Sequence, residues 1–301
     1  MKPTYGVSFS IKQCRNFTIN HETCLLWLLE DMKFRRFRLM SYWNEIEPTP
    51  GNYNFAWLDK QITIIEKKQA TMSLCLGARQ PRWPENHWPD WAWELNTNER
   101  TAKLLDFITI VVERYKHSTG IVSYQLENEA LLQSFGKRPE VIRSRILKEF
   151  LLVKKLDSKQ PIIMSTSDSW GTPLRKPIPD IVGFSLYTRV YNDRKKSYTK
   201  QRNSALQFRL RSNIIKSLWG RDSFIHELQL EPWGPQSIWN MTRAEQDKTM
   251  SMKGIIDNVA MARATKLTPI DLWGGEWWYW RYSNNDNSIA EAVKEAIAPS
   301  K

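Results

Sequence analysis

Cysteine is scarce in this chain of 301 residues, limited to Cys14, Cys24 and Cys75. An odd number without the paired spacing of metal ligands indicates neither a disulfide framework nor a zinc site. Such usage leans toward a reducing compartment. Glycine is also sparse, with 12 residues, so the chain lacks the Gly-rich cradle that phosphate-handling barrels such as aldolases and isomerases place after their late strands. No apolar run approaches the roughly 20 residues that cross a bilayer. The start, MKPTYGVSFS, enters a strand pattern directly, without the apolar core of a signal peptide. Native export through an upstream segment is left open, and so is the compartment. Internal repeats, linkers and low-complexity tracts are missing too, which predicts one domain over residues 1–301.

What the chain has in excess is positive charge and tryptophan. Its formal charge is +12, and Asn192 to Arg211 alone holds seven Lys or Arg residues. A run of this kind reads first as a solvated loop and helix face. It follows no zinc-finger, helix-turn-helix or RNA-recognition pattern, so no nucleic-acid partner is expected; attraction to an acidic glycan or cell envelope fits the charge. Ten of the 15 tryptophans cluster outside periodic segments: Trp83, Trp88, Trp91 and Trp93 in one loop, Trp233 and Trp239 in another, and Trp273, Trp277, Trp278 and Trp280 near the end. Flat apolar rings suit stacking on sugars, and equally suit packing loops over a core.

Eight short runs rich in β-branched or aromatic residues begin near Tyr5, Arg36, Thr71, Ile121, Pro161, Ile181, Asp222 and Pro269. Segments of helical periodicity separate most of them: Asn20 to Phe34, Phe55 to Lys68, Glu99 to Lys116, Pro139 to Leu156, Ser204 to Leu218, and Arg243 to Ala264 behind a Thr242/Glu245 capping box. Alternation of this kind with a count of eight predicts an α/β fold, a single (β/α)8 TIM barrel with long aromatic-rich loops at the carboxyl ends of its strands. The segment Ser167 to Asp180, with three prolines, leaves little room for a helix. The long loop Ala78 to Thr97 is aromatic enough to suggest function.

In a closed parallel barrel the functional side chains sit at the carboxyl ends of the strands. Arg38, Asn128, Glu129, Tyr187, Glu227 and Trp273 meet that condition. Glu129 in YQLENEALL and Glu227 in FIHELQLEPWG each lie just beyond a run that reads as a buried strand. A pair of carboxylic acids so placed suits glycosidic cleavage, which needs one acid to protonate the leaving oxygen and a second carboxylate on the other face of the sugar.

On these residues the chain resembles the clan A glycoside hydrolases, the (β/α)8 barrels that include β-galactosidases, xylanases, mannanases and cellulases. The likeness runs over nearly the whole chain. SYWNEIEPTPGNYNFAWLD resembles the clan's second strand and following loop, with Trp43 as its tryptophan. Asn128-Glu129 matches the fourth-strand pair, implying Glu129 as acid/base and Asn128 as partner of the sugar hydroxyl next to the reacting carbon. Glu227 matches the seventh-strand nucleophile, Tyr187 the sixth-strand tyrosine that holds it, and Trp273 the eighth-strand tryptophan under the cleaved sugar. Leu-Gln-Leu-Glu after Glu227 departs from the better-known branches.

The resemblance implies a retaining β-glycoside hydrolase using double displacement, without metal or cofactor. Arg38 is expected to keep Glu227 ionised while burial and the second carboxylate raise the pKa of Glu129. The loop tryptophans favour endo action on an oligo- or polysaccharide. Exo action of the β-galactosidase kind, and an inactive carbohydrate-binding barrel, are the alternatives. Trp83, Trp233 and Glu276 complete the expected glycan contacts. Glu45, Glu47, Glu127, Glu231 and Glu276 compete as carboxylates but read first as ion pairs or loop hydrogen bonds, and His87 and His226 read as scaffold. A monomer is expected.

Overall fold

The computed structural model describes residues 3–132, 136–137, 140–167 and 175–299. Ten strands run in chain order: β1 (Tyr5–Phe9), β2 (Arg36–Met40), β3 (Thr71–Leu76), β4 (Ile121–Leu126), β5 (Ile162–Thr166), β6 (Ile181–Leu186), β7 (Arg189–Asn192), β8 (Ser197–Lys200), β9 (Asp222–Gln229) and β10 (Ile270–Trp273). Eight of them close a parallel barrel in the order β1, β2, β3, β4, β5, β6, β9, β10, with helices between strands. The eight expected strand starts hold to within one residue. The two that slip begin at the residue after Pro161 and Pro269, since proline has no N–H to give to a ladder. Pro161 still accepts from the Tyr124 N–H at 3.0 Å.

Helices occupy His21–Glu30, Ala56–Lys67, Thr97–Tyr115, Arg143–Leu156 and Ala205–Trp219, close to the periodic segments. The longest starts at a full capping box between Asn96 and Glu99. The expected helix Arg243 to Ala264 is instead two, Arg243–Asp247 and Met252–Ala264. Ser251 caps the second by accepting from the Gly254 N–H, and Thr249 turns away to accept from Trp233. The Thr242 hydroxyl caps the first, but the Glu245 carboxylate, which a reciprocal box would return to Thr242, accepts from Tyr198 and Lys248. Of the segment read as too proline-rich for a helix, 168–174 lie outside the described residues and 175–180 hold none.

The chain divides into two compact units, one of Met1–Arg36, Phe184–Leu218 and Ser223–Lys301, the other of Phe37–Gly183 with Trp219–Asp222. In the first, the basic stretch is only partly the solvated face that was expected. Its start forms an antiparallel hairpin, β7 with β8, turning through 193–196. Its last residue, Arg211, is fully buried with its guanidinium 4.4 Å from the Phe184 ring. The helix that carries it buries Phe208, Arg211 and Ile215 and leaves Leu206, Leu210, Ile214 and Leu218 exposed.

The same unit is pinned by a buried charge cluster. Asp271 on β10 takes 2.8 Å from Arg36 Nε and 2.7 Å from His226 Nδ1 on β9. A Cβ at Gly6 would lie 2.2 Å from the Asp271 carboxylate, so β1 needs glycine beside it. Burial alone would raise this carboxyl, but Arg36 and His226 outweigh it and hold the pKa at about 2. A carboxylate depressed below its unfolded value near 3.8 stabilises the fold fully above that pH and loses the contribution as pH falls through 2. Asp271→Asn should therefore cost about 3–5 kcal/mol at neutral pH by stranding Arg36. Urea unfolding at pH 7 and at about pH 2 measures it, and the gap between wild type and variant should narrow as pH falls from 3.8 to about 2.

Candidate active site

The chain leaves β4 in an unusual conformation. Glu127 and Glu129 both have positive φ, 50° and 44°, a left-handed state that costs a non-glycine residue roughly 1–3 kcal/mol and persists only where the surroundings impose it. Here they do. The buried Glu127 carboxylate accepts the N–H groups of Ala78 and Arg79 beyond β3, and its own N–H bonds to Leu76 O at 3.0 Å. The Asn128 N–H reaches Arg79 O at 2.6 Å, and the Glu129 N–H reaches Ser165 Oγ at the end of β5, 2.8 Å away.

These bonds fix Asn128. Its Oδ1 accepts from Arg38 Nη2 at 2.9 Å, Ser165 Oγ at 3.0 Å and Gln125 Nε2 at 3.3 Å, while its Nδ2 donates to Glu85 Oε2 at 2.8 Å. Three donors converging on one oxygen set the amide orientation. One amide hydrogen is committed to Glu85, and the other suits a ligand hydroxyl. Arg38, fully buried on β2, also donates its Nε to Gln125 Oε1. Its rigid fork thus braces both β4 side chains. Glu129 itself is half-buried.

In the other unit, Tyr187 directly follows β6 and donates its hydroxyl to Glu227 Oε2 at 3.0 Å. Glu227 is buried within β9. Trp233 stands edge-on to Tyr187, with ring centres 5.6 Å apart. Two residues past Glu227, Gln229 accepts the N–H groups of Thr188 and Arg189 and returns its amide to Arg189 O. That clamp fixes where the chain leaves β6, and so where the Tyr187 hydroxyl lies. Trp273 ends β10, nearly buried, its carbonyl bonded by Leu230 N at 2.9 Å.

Two of the expected glycan contacts, Trp43 and Glu276, are enclosed side chains. Trp43 is fully buried: it donates Nε1 to Glu47 at 2.6 Å and packs on Trp88, Trp91 and Phe107. A ring enclosed on this scale has no face for a sugar. Glu276 is likewise fully buried, its Oε1 taken by the Ser10 N–H at the start of helix Ile11–Asn16. Glu47 holds Trp43 and Gly51, His226 holds Asp271, and His87 bonds the carbonyls of Gln80 and Arg82 against the Tyr42 ring. Trp83 is 59% exposed. Sequence reasoning missed Ser165, Gln125, Glu85 and Gln229, although polar residues at the carboxyl ends of apolar strands were the available signal for three of them. Among the described residues no group of three or more His, Cys, Asp or Glu is arranged to hold a metal ion.

Comparison with known proteins bears on this arrangement. A family model described as β-galactosidase, glycoside hydrolase family 42, matches residues 27–157. The likeness is to the clan A glycoside hydrolases. A β-galactosidase of Haloferax lucentense is 25% identical over 104 residues, 29% of this chain and 16% of that protein. In fold, the chain is similar to a β-galactosidase of the haloarchaeon Halorubrum lacusprofundi, with TM-score 0.64, 13% identity, and coverage of 99% of this chain and 58% of that one. It is similar too to xylanase 10C of Cellvibrio japonicus, with TM-score 0.64, 16% identity, and coverage of 99% and 67%. The chain thus spans little more than half of the haloarchaeal structure and a sixth of the curated relative. At these identities the structural likeness is one of fold, a barrel shared by clan members of different specificity.

The β4 turn makes a steric demand on Gly77, which has φ 98° and an added Cβ only 2.7 Å from Glu127 Cδ. Gly77→Ala should lower stability by roughly 1–3 kcal/mol, from backbone strain and overpacking together. Chemical denaturation checks it. Gly51→Ala, whose Cβ meets nothing within 4 Å although its φ is also positive, isolates the backbone share and should cost less.

Proposed function

We propose that the chain is a retaining β-glycoside hydrolase in which Glu227 is the nucleophile and Glu129 the general acid/base. The observation that carries the assignment is the Tyr187–Glu227 hydrogen bond at a strand end, supported by the braced Asn128-Glu129 turn and by the partial family match. A phenol donor holds a carboxylate in one rotamer and disperses its charge without neutralising it. In the first step a Glu227 oxygen attacks the anomeric carbon while Glu129 gives its proton to the departing glycosidic oxygen. In the second, Glu129 takes a proton from water as that water displaces Glu227 and frees the sugar. The second Asn128 amide hydrogen would bind the adjacent sugar hydroxyl, Arg38 serving to hold that amide. One catalytic domain over the whole chain, acting as a monomer on a glycan and not on nucleic acid, belongs to the same proposal. The reaction needs only side chains.

The endo reading rested on loop tryptophans as sugar platforms. Burial of Trp43, Trp88, Trp277 and Trp278 removes four rings from that role. Exo action of the β-galactosidase kind is therefore a second reading, favoured by the family match over 27–157.

The test is hydrolysis of a panel of aryl β-glycosides and of β-galactan, xylan, mannan and glucan oligomers, with the anomeric signal followed by proton NMR. Expected are a first-formed β product, loss of roughly 10²-fold or more in Glu129→Ala on unactivated substrates, and abolition in Glu227→Ala. Release of monosaccharide alone marks exo action, and oligomeric products mark endo action. Turnover that survives Glu227→Ala overturns the nucleophile assignment. Binding of glycans without cleavage by the wild type makes the chain a binding barrel.

A further inference from the structure

We infer that Glu127, two residues before the proposed acid/base and outside the proposed chemistry, is a positioning residue that sets the place of the Glu129 carboxyl. This role rests on the glycosidase reading above. Its basis is a buried acidic cluster on the far side of the β4 turn from Asn128. Both Glu127 oxygens are used on main-chain N–H groups of the neighbouring strand end, Ala78 and Arg79. The Arg79 carbonyl in turn takes the Asn128 N–H, and the Arg79 guanidinium donates to Leu132 O on the far side of Glu129. One carboxylate therefore locks the segments on both sides of Glu129. Gly77 is compatible with it only as glycine.

A buried anion needs a counter-charge, and the charged groups around it are Arg145, Glu149, Glu140 and Arg79. Arg145, from helix Arg143–Leu156, approaches Glu127 at 4.0 Å and binds Glu149 at 3.1 Å and Glu140 at 2.6 Å. Glu140 is shared with Arg100 at 2.7 Å. Three carboxyls converge on Arg145, and Glu149 has no other arginine partner among the described residues. Glu149 Oε2 is buried with no donor among the described residues, and the Glu149 carboxyl lies beside Glu127. A proton shared by the two supplies the missing donor. Burial raises the pKa of both, that of Glu149 the further, in keeping with such sharing. Glu127 is thus held from behind by a protonated neighbour and a cation, and from the front by two amides. Buried ionic groups of this kind are expensive and are retained where they confer position.

A residue that only supports the fold and one that places the acid differ in what their loss does to chemistry. Protonic assistance matters for a basic leaving group and little for an acidic phenol. Glycosides of whichever sugar the wild type cleaves, with dinitrophenol and with methanol or a second sugar as leaving group, separate the two. For Glu127→Gln, in which an amide replaces one acceptor, kcat/KM is expected to fall on the order of 10-fold or more on the poor leaving group and by less than about 3-fold on the activated one, below the full acid-catalytic factor. Glu129→Gln should show the same asymmetry more strongly. If the Gln variant does not fold, Glu127→Asp, which keeps the charge facing Arg145 but is too short to reach both amides, carries the same comparison. Equal losses on both substrates, or none, overturn the role of Glu127. A wild type that cleaves no glycoside sinks the glycosidase reading and this role with it. Asymmetry in Glu129→Gln without asymmetry at Glu127 sinks this role alone.

Discussion

The left-handed turn after β4 is the constraint on which the Asn128-Glu129 group depends. A chain leaving a parallel strand ordinarily continues extended, and glycine is the usual residue at positive φ. Here two glutamates adopt it, because the Leu76 and Arg79 carbonyls on one side and a hydroxyl from β5 on the other accept the amides of the turn, while the buried Glu127 carboxylate holds the Ala78 and Arg79 N–H groups. The strain is held by the surrounding hydrogen bonds, and they in turn require a small residue at Gly77 and a cation at Arg145. Asn128 is then fixed on both main chain and side chain before any ligand arrives. Preorganised polar groups need no rearrangement at the moment of reaction, which is where electrostatic catalysis gains most.

The Tyr187–Glu227 group of the other unit is built by the same means. Gln229 clamps the exit from β6, that exit carries Tyr187, and Tyr187 holds Glu227. In each unit a neutral amide, Gln125 or Gln229, stands within a few residues of the acid of interest and organises its surroundings. Amides suit this task because they offer donors and acceptors together and do not titrate.

Charge and aromatic content proved poor guides to surface. Arg38, Arg145 and Arg211 are buried scaffold, each stacked on rings or paired with carboxylates and amides. The tryptophan-rich loop after β3 is largely a packing device: Trp88 lies against Trp43 and Trp93, with Arg100 and Arg145 over its ring. Net charge counts these arginines as solvent-facing, and clustering counts these rings as platforms. Neither measure contains burial. Of the tryptophans in that loop, Trp83 is the most exposed.

The linear chain by itself determined the barrel. Eight apolar runs and the helical periods between them have local causes, so strand starts were legible to within a residue and moved only where proline withholds an N–H. The positions of Asn128, Glu129 and Tyr187 just past strand ends were legible for the same reason, whereas Glu227 lies within β9, two residues before its end. Tertiary structure decided what surrounds them. Trp43 and Glu276 stand just past strand ends as well, yet the fold closes over both, through Glu47 and Phe107 in one case and Ser10 in the other. The break at Ser251 came from the partner that Thr249 finds in Trp233. Glu127 drew its place from amides 48 and 49 residues earlier in the chain. Partners so distant leave no periodicity, because burial and hydrogen bonding between remote segments exist only once the strands are side by side.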